Sequence, residues 1–396
     1  MKEVTSPTPT KEEAAVFVDN VPVYPSSETL NTPTPPAVKD LADEALPVEA
    51  DEPPKKWFTK KKKCILAGII VAICCIVGGV LGGVFGHQAR ERNKHPSYKK
   101  RQYTLVRNYS GTNFFDGFEF QNITDPTHGF VDYLPRNVSQ SLGLLSANST
   151  NVIIRSDSTH NVTAGRPSVR IQSNDYYNQV LVILDLVHMP FGCGTWPAFW
   201  MLGDDWPNGG EIDILEGVNR QAANQFTLHT KDGCTMKDAK RFQTGTNQAL
   251  DCYVYAPDQG SNAGCGVSSL SSLSYGSGFN QNGGGIFALD WRSEGIRAWF
   301  FPRNSTPPDI YTANPQPHDW GYPDADFPNT YCDIDTNFQS QRIVFDLTFC
   351  GDWAGADSVY DLFGCPSTCT SFVANSPKNF TEAYWNIRSL QVFKGK

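Results

Sequence analysis

An all-β sandwich of two antiparallel sheets is the fold that residues 102–396 predict, and three observations carry it. Short runs rich in β-branched and aromatic residues recur, at 168–172, 179–188, 211–215, 225–229, 285–291, 295–301, 342–349 and 385–393. Gly, Pro, Asn and Asp separate these runs, as turn residues separate strands. Long helical periodicity is absent. Many short strands with turn-rich joints make a sandwich or barrel. Residues 257–284, rich in Gly, Ser and Asn, read as a long surface loop.

The 396-residue chain is not uniform along its length. Residues 1–54 carry three lysines and eleven acids and are dense in Pro, Thr and Glu. Such a segment lacks the apolar surface to offset its ordering entropy, so 1–63 reads as a disordered tail. Residues 64–86 follow without a charge and are rich in Ile, Val and Gly. A bilayer core takes about 20 apolar helical residues, so this stretch is expected to span a membrane. It starts too far into the chain, and is too long, for the core of a cleaved signal peptide. Gly78/Gly82 and Gly79/Gly83 have small-xxx-small spacing, which leaves room for a weak helix-mediated dimer.

Six basic residues precede this stretch and six follow it, so the positive-inside rule is tied. The seven Asn-x-Ser/Thr sequons, at Asn108, Asn122, Asn137, Asn148, Asn161, Asn304 and Asn379, all follow it. Eight cysteines follow it too, and none lies in 1–63. Both point to a tail inside and a glycosylated, disulfide-bonded domain that is lumenal or extracellular, as in a single-pass type II membrane protein. The pairing of the eight cysteines is open. Cys365-x-x-x-Cys369 alone has ligand-like spacing, but a second pair and a nearby His are lacking, which disfavours zinc. Residues 87–101 read as a short basic stalk, a solvated linker. Residues 102–396 carry 18 basic and 29 acidic residues, which argues against nucleic acid as a partner.

The chemistry concentrates in Glu211-Ile212-Asp213-Ile214-Leu215-Glu216. Strand alternation puts Glu211 and Asp213 on one face and Ile212 and Ile214 on the other. Regular continuation would turn Glu216 into the core, where a lone carboxylate is costly. A β-bulge at Ile214-Leu215 tucks both apolar side chains inward and returns Glu216 to the acidic face. Three like charges on one strand face repel, so a purely structural sequence rarely places them there. Glycoside hydrolysis needs one ionised carboxylate to attack the anomeric carbon and one protonated carboxyl to donate to the leaving oxygen, and crowding helps set those states. A calcium site and a plain solvated acidic edge are the alternatives. A strand with Ile at alternate positions wraps an ion poorly.

This hexapeptide resembles the bulged signature of glycoside hydrolase family 16, in its laminarinase-like branch. Asn113-Phe114-Phe115-Asp116, Gly192 to Trp200, Trp206 to Gly210, Thr227-Leu228-His229-Thr230 and Phe349 to Gly355 are similar to fungal members as well. The resemblance implies a β-jelly roll, retention of configuration, and endo-cleavage of β-1,3- or β-1,3-1,4-glucan without a metal or other cofactor. It makes Glu211 the nucleophile and Glu216 the general acid, then base. Asp213 tunes the nucleophile, and His229 reaches the acid/base, although a core histidine is the plainer reading of that residue. Sugars stack their C–H faces on aromatic rings. Trp200, Trp206 and Trp353 are therefore expected along the groove, and Arg170 resembles a family arginine that binds sugar hydroxyls. Trp196, Trp291 and Trp299 read as core. A hydrolase, a cell-wall transglycosylase using the same glycosyl-enzyme, and a non-catalytic glucan-binding protein remain as functions. The three intact acids speak against the last, and the bulged signature favours the first.

Overall fold

The structure is a computed structural model that describes residues 69–80, 82–83 and 94–396. The chain divides into Met1–Val71 and Ala72–Lys396, and the sandwich belongs to the second unit. Two large antiparallel sheets face each other. The back sheet runs in the order Ala325–Pro328, Gly295–Pro302, Gly285–Arg292, Val180–His188, Tyr384–Gly395, Val152–Arg155, Leu145–Ala147, with Tyr103–Ser110 also paired to Tyr384–Gly395. The front sheet runs Thr246–Asn247, Val267–Ser268, Gln225–His229, Glu211–Glu216, Thr195–Leu202, Arg342–Phe349, Ile171–Ser173, Phe118–Phe120. Four front strands carry the site and are labelled in chain order: β1, Thr195–Leu202; β2, Glu211–Glu216; β3, Gln225–His229; β4, Arg342–Phe349.

The core lies between the sheets. Phe199 and Met201 of β1, Ile212, Ile214 and Leu215 of β2, and Ile343 and Phe345 of β4 pack with Val182, Leu184, Phe287, Leu289, Leu390 and Val392 of the back sheet. The back sheet is covered on its other face too, where Leu181, Ile183, Ile286, Ala288 and Trp299 pack with Ile310 and Trp320. Burial on both faces fits the unbroken apolar stretches Val180–Leu184 and Ile286–Leu289 within these strands. The expected runs at 225–229 and 342–349 are strands over those same residues. Trp291 and Trp299 are core, as expected.

The front sheet turns a second set of side chains away from the core, and most of them are buried as well. Trp196, Ala198 and Trp200 alternate out of β1, and Val344, Asp346 and Thr348 face the same way from β4. Ala198, Trp200 and Val344 accordingly form a separate small cluster with Leu202.

Three expectations are corrected here. The membrane-spanning helix over 64–86 is not found: among the described residues helix covers 69–80 and 82–83, and no helix is long and apolar enough to cross a membrane. The helix-mediated dimer through Gly78/Gly82 and Gly79/Gly83 loses its basis with the span. The remaining residues of 64–86, the tail 1–63 and residues 87–93 lie outside the described residues. The second correction concerns the stalk. Residues 94–101 lie on the sandwich: Tyr98 is buried and donates its hydroxyl to Asp326 Oδ1 at 3.0 Å, His95 Nε2 lies 2.6 Å from Asp326 Oδ2, and Arg101 pairs with Glu294 at 3.0 Å. The third concerns 257–284. Cys265, Tyr275 and Phe279 are fully buried there, and Gly276–Gln281 is a short helix.

All eight domain cysteines form disulfides, Cys193–Cys365, Cys234–Cys332, Cys252–Cys265 and Cys350–Cys369. Both members of the ligand-like Cys365/Cys369 pair are therefore oxidised, to different partners.

Candidate active site

The bulge sits where the sequence requires it. Asp213 pairs with Trp200 on β1, yet Leu215 pairs with the next residue, Phe199. On the other side Asp213 pairs with Thr227 and Glu216 with Gln225, so Ile214 and Leu215 together oppose Phe226. Ile212, Ile214 and Leu215 are all buried, and each contributes about 1.5–3 kcal/mol relative to exposure. Asn224 clamps the distortion. Its Oδ1 accepts from Glu216 N at 3.0 Å and its Nδ2 donates to Ile214 O at 2.9 Å. The strand starts from Gly210 at φ +75°, where a Cβ would run into Asn337 O and the Phe338 ring; a side chain there would displace the first acid.

The three acids occupy unlike environments. Glu211 is half-buried and accepts a hydrogen bond from Trp206 Nε1. Asp213 is buried, and its carboxyl is pushed well above the usual range by burial, then by the charge of Glu211 beside it and a hydrogen bond shared with that residue. Glu216 is pushed up as well, by burial first and then by Asp213, against the pull of the bond donated by Trp196 Nε1 at 2.8 Å. Burial and like-charge crowding thus both favour the protonated form of these two carboxyls.

His229 lies across from Glu211 in the strand register, and its Nε2 is 3.3 Å from Asp213 Oδ2. It was expected at the acid/base. Its nearest carboxylate is instead Asp213, while its charge still acts on Glu216 at longer range. Polar atoms of Glu211, Asp213 and His229 come within 4.8 Å of one another. Calcium takes six to eight oxygens and this group offers two carboxyls and an imidazole, so no ion is assigned to it.

The expected sugar contacts divide. Trp206 is 39% exposed and donates from Nε1 to Glu211. Trp200 is 9% exposed; the Arg170 guanidinium lies 4.9 Å over its ring, and its Nε1 donates to Asp346 Oδ2 at 3.3 Å. Arg170 is itself buried and bonded to Asp346 Oδ2 at 2.8 Å. Trp353 meets Trp196 edge to face, with ring centroids 5.6 Å apart. Trp196, read as core, is therefore a site residue: it joins Glu216 to Trp353.

Two site residues escaped the sequence reading. Asn224 had no signal beyond being polar next to a strand. Asp346 was one acid within an apolar run. It orients both Arg170 and Trp200, and burial pushes its carboxyl up to about 7 against the pull of Arg170.

Residues 118–393 match the family model described as XgeA-like, catalytic GH16 domain. A probable glycosidase of Schizosaccharomyces pombe is 63% identical over 308 residues, 78% of this chain and 73% of that protein. A probable endo-1,3(4)-β-glucanase of Aspergillus niger is 41% identical across 74% of this chain, and the match spans only 40% of that protein's length. Among solved structures, Laminarinase 16A from Phanerochaete chrysosporium, holding β-glucans in donor and acceptor sites, has 43% identity and a TM-score of 0.72 over 74% of this chain and all of that one. An elongating family 16 β-1,3-glucosyltransferase has 44% identity and a TM-score of 0.68 over the same shares. The matched segment contains every strand of the front sheet and all three acids, and the chain belongs to glycoside hydrolase family 16.

Proposed function

We propose that this chain is a retaining endo-β-glucanase that cuts β-1,3- or mixed-linkage β-1,3-1,4-glucan by double displacement. The observation that carries the reading is the arrangement on β2: both glutamates are half-buried on one face, Glu216 under the Trp196 indole with its carboxyl pushed up by burial and by Asp213, and Glu211 beside the exposed Trp206. In the first step a Glu211 carboxylate oxygen bonds to the anomeric carbon as the glycosidic C–O bond breaks. That bond's electron pair leaves with the aglycone oxygen, which takes the Glu216 proton. Neutral Asp213 donates its hydrogen bond to Glu211 and steadies the charge that Glu211 loses and regains. In the second step Glu216, now a carboxylate, takes a proton from water. The water oxygen bonds to the anomeric carbon and Glu211 is released.

Transglycosylation is the second reading, in which a sugar hydroxyl replaces that water. Its support is the 44% identity to a structure described as an elongating β-1,3-glucosyltransferase. Laminarin, lichenan and a labelled acceptor oligosaccharide separate the readings. We expect shortened products that emerge first as the β-anomer, read by proton NMR before mutarotation. An α-anomer appearing first would refute the retaining mechanism. Label incorporated into longer chains faster than reducing ends appear would favour the transferase.

We also propose that the domain works in an exported, oxidising compartment. Four disulfides and the exposure of all seven sequon asparagines support this. Endoglycosidase treatment of the protein from its native host should lower its apparent mass, and an unchanged mass would count against export.

A further inference from the structure

Strand pairing on one side of the site stops short of His229. Val267–Ser268 pairs with β3 only at Gln225 and Phe226, which leaves the edge of β3 beyond Thr227 without a strand beside it. The segment from Asp251 to Cys265 supplies the missing bonds. Cys265 N donates to Leu228 O at 3.0 Å, Thr230 N to Cys252 O at 2.8 Å, and Val254 N to Thr230 O at 3.1 Å. The Cys252–Cys265 disulfide closes this loop at its base. Gln259 ties it from within: its Nε2 donates to Asp251 O at 2.6 Å and Gly264 O at 2.9 Å, and its Oε1 accepts from Asp251 N at 3.3 Å.

The loop meets His229 at Gly264. That residue has φ +58°, and a Cβ on it would lie 2.9 Å from His229 Cε1, 2.8 Å from Thr227 Cγ2 and 2.5 Å from Leu228 O. His229 Nδ1 is buried and finds no hydrogen-bond partner among the described residues. An imidazole is commonly oriented by the bond its second nitrogen makes. Here that bond is lacking, so the packing of the loop against the ring edge is what keeps Nε2 turned toward Asp213.

We infer that the disulfide-closed loop 252–265 is a positioning element for the reaction, acting through Gly264 and Gln259 on His229 and thereby on the Asp213–Glu211 pair. The inference rests on the glucanase reading. Gly264 and Gln259 need not touch substrate. They set the angle of a ring whose Nε2 lies 3.3 Å from Asp213 Oδ2.

Gly264→Ala tests the contact directly, and Gln259→Ala loosens the loop without adding an atom, so it retains the fold if Gly264→Ala does not. Each should lower kcat on laminarin between about 10- and 100-fold, the scale on which small misplacements act, with KM changed less than about twofold. In a His229→Ala background the same substitutions should have little further effect. The His229 ring 1H–15N signals, recorded without substrate, should shift in both variants. Equal losses with and without His229, or ring signals unmoved in a folded variant, would overturn the inference. Wild-type protein inactive on every glucan would refute the glucanase reading instead, and the ring signals would still decide whether the loop positions His229.

Discussion

Glu211→Ala should abolish glucan hydrolysis, lowering kcat by roughly 10⁴-fold or more, as loss of a covalent nucleophile does, while the fold is kept. Glu211 is half-buried at the start of β2 and is not part of the core that holds the sheets together. Its removal leaves space on the face of the sugar opposite the leaving group. Added azide or formate should enter that space and restore turnover by a single displacement, giving a product of inverted configuration. Trp206 Nε1, which donates to Glu211, would face the incoming anion. Full activity of Glu211→Ala on laminarin would remove the catalytic assignment, and rescue with retained configuration would mean that another group attacks the anomeric carbon.

What could be read from the sequence divides along physical lines. The bulge was legible because two constraints conflict in six residues: alternation would bury Glu216 and expose Leu215, and only an extra residue resolves both. β3 and β4 were legible because their β-branched and aromatic residues lie between clear turn signals. β1 was quoted only for its resemblance and was not among the expected strands; a proline such as Pro197 is in any case disfavoured in a central strand. The structure shows why proline is tolerated there. The ladder to β2 runs from Leu202 only as far as Ala198, stopping one residue short of Pro197, so on that side there is no bond to lose, while toward β4 Pro197 lies opposite Leu347. Contacts across strands were the least legible. Trp196 looks like core until the register sets it opposite Thr348 and its indole reaches Glu216. Arg170 resembles a sugar ligand until Asp346, 176 positions away in sequence, is found bonded to it. The apolar stretch at 64–86 shows the converse: composition sets a capacity to span, and among the described residues no helix is long and apolar enough to cross a membrane.

Glu216→Gln should produce the other large effect, and a second consequence in the opposite direction. On natural glucan it should cost about 10²- to 10⁴-fold in kcat, the range for a general acid. Aryl glycosides with good leaving groups should still form the glycosyl-enzyme, because their departure needs no proton. The stability effect follows from the direction of the Glu216 shift. Burial and Asp213 raise its folded-state pKa above the unfolded value, so the folded chain binds the proton more tightly. The stability contributed by this site is therefore fully present below the unfolded glutamate value, about 4.3, and is lost as the pH rises through the folded value. Glutamine cannot ionise and keeps the shape, so the variant should escape that loss. Its Tm should exceed that of the wild type at neutral pH, and the difference should shrink as the pH falls below about 4.3. A Tm gap independent of pH would show that packing, not the carboxyl's charge, separates the two proteins. Undiminished hydrolysis of laminarin by the variant would take the role of acid away from Glu216.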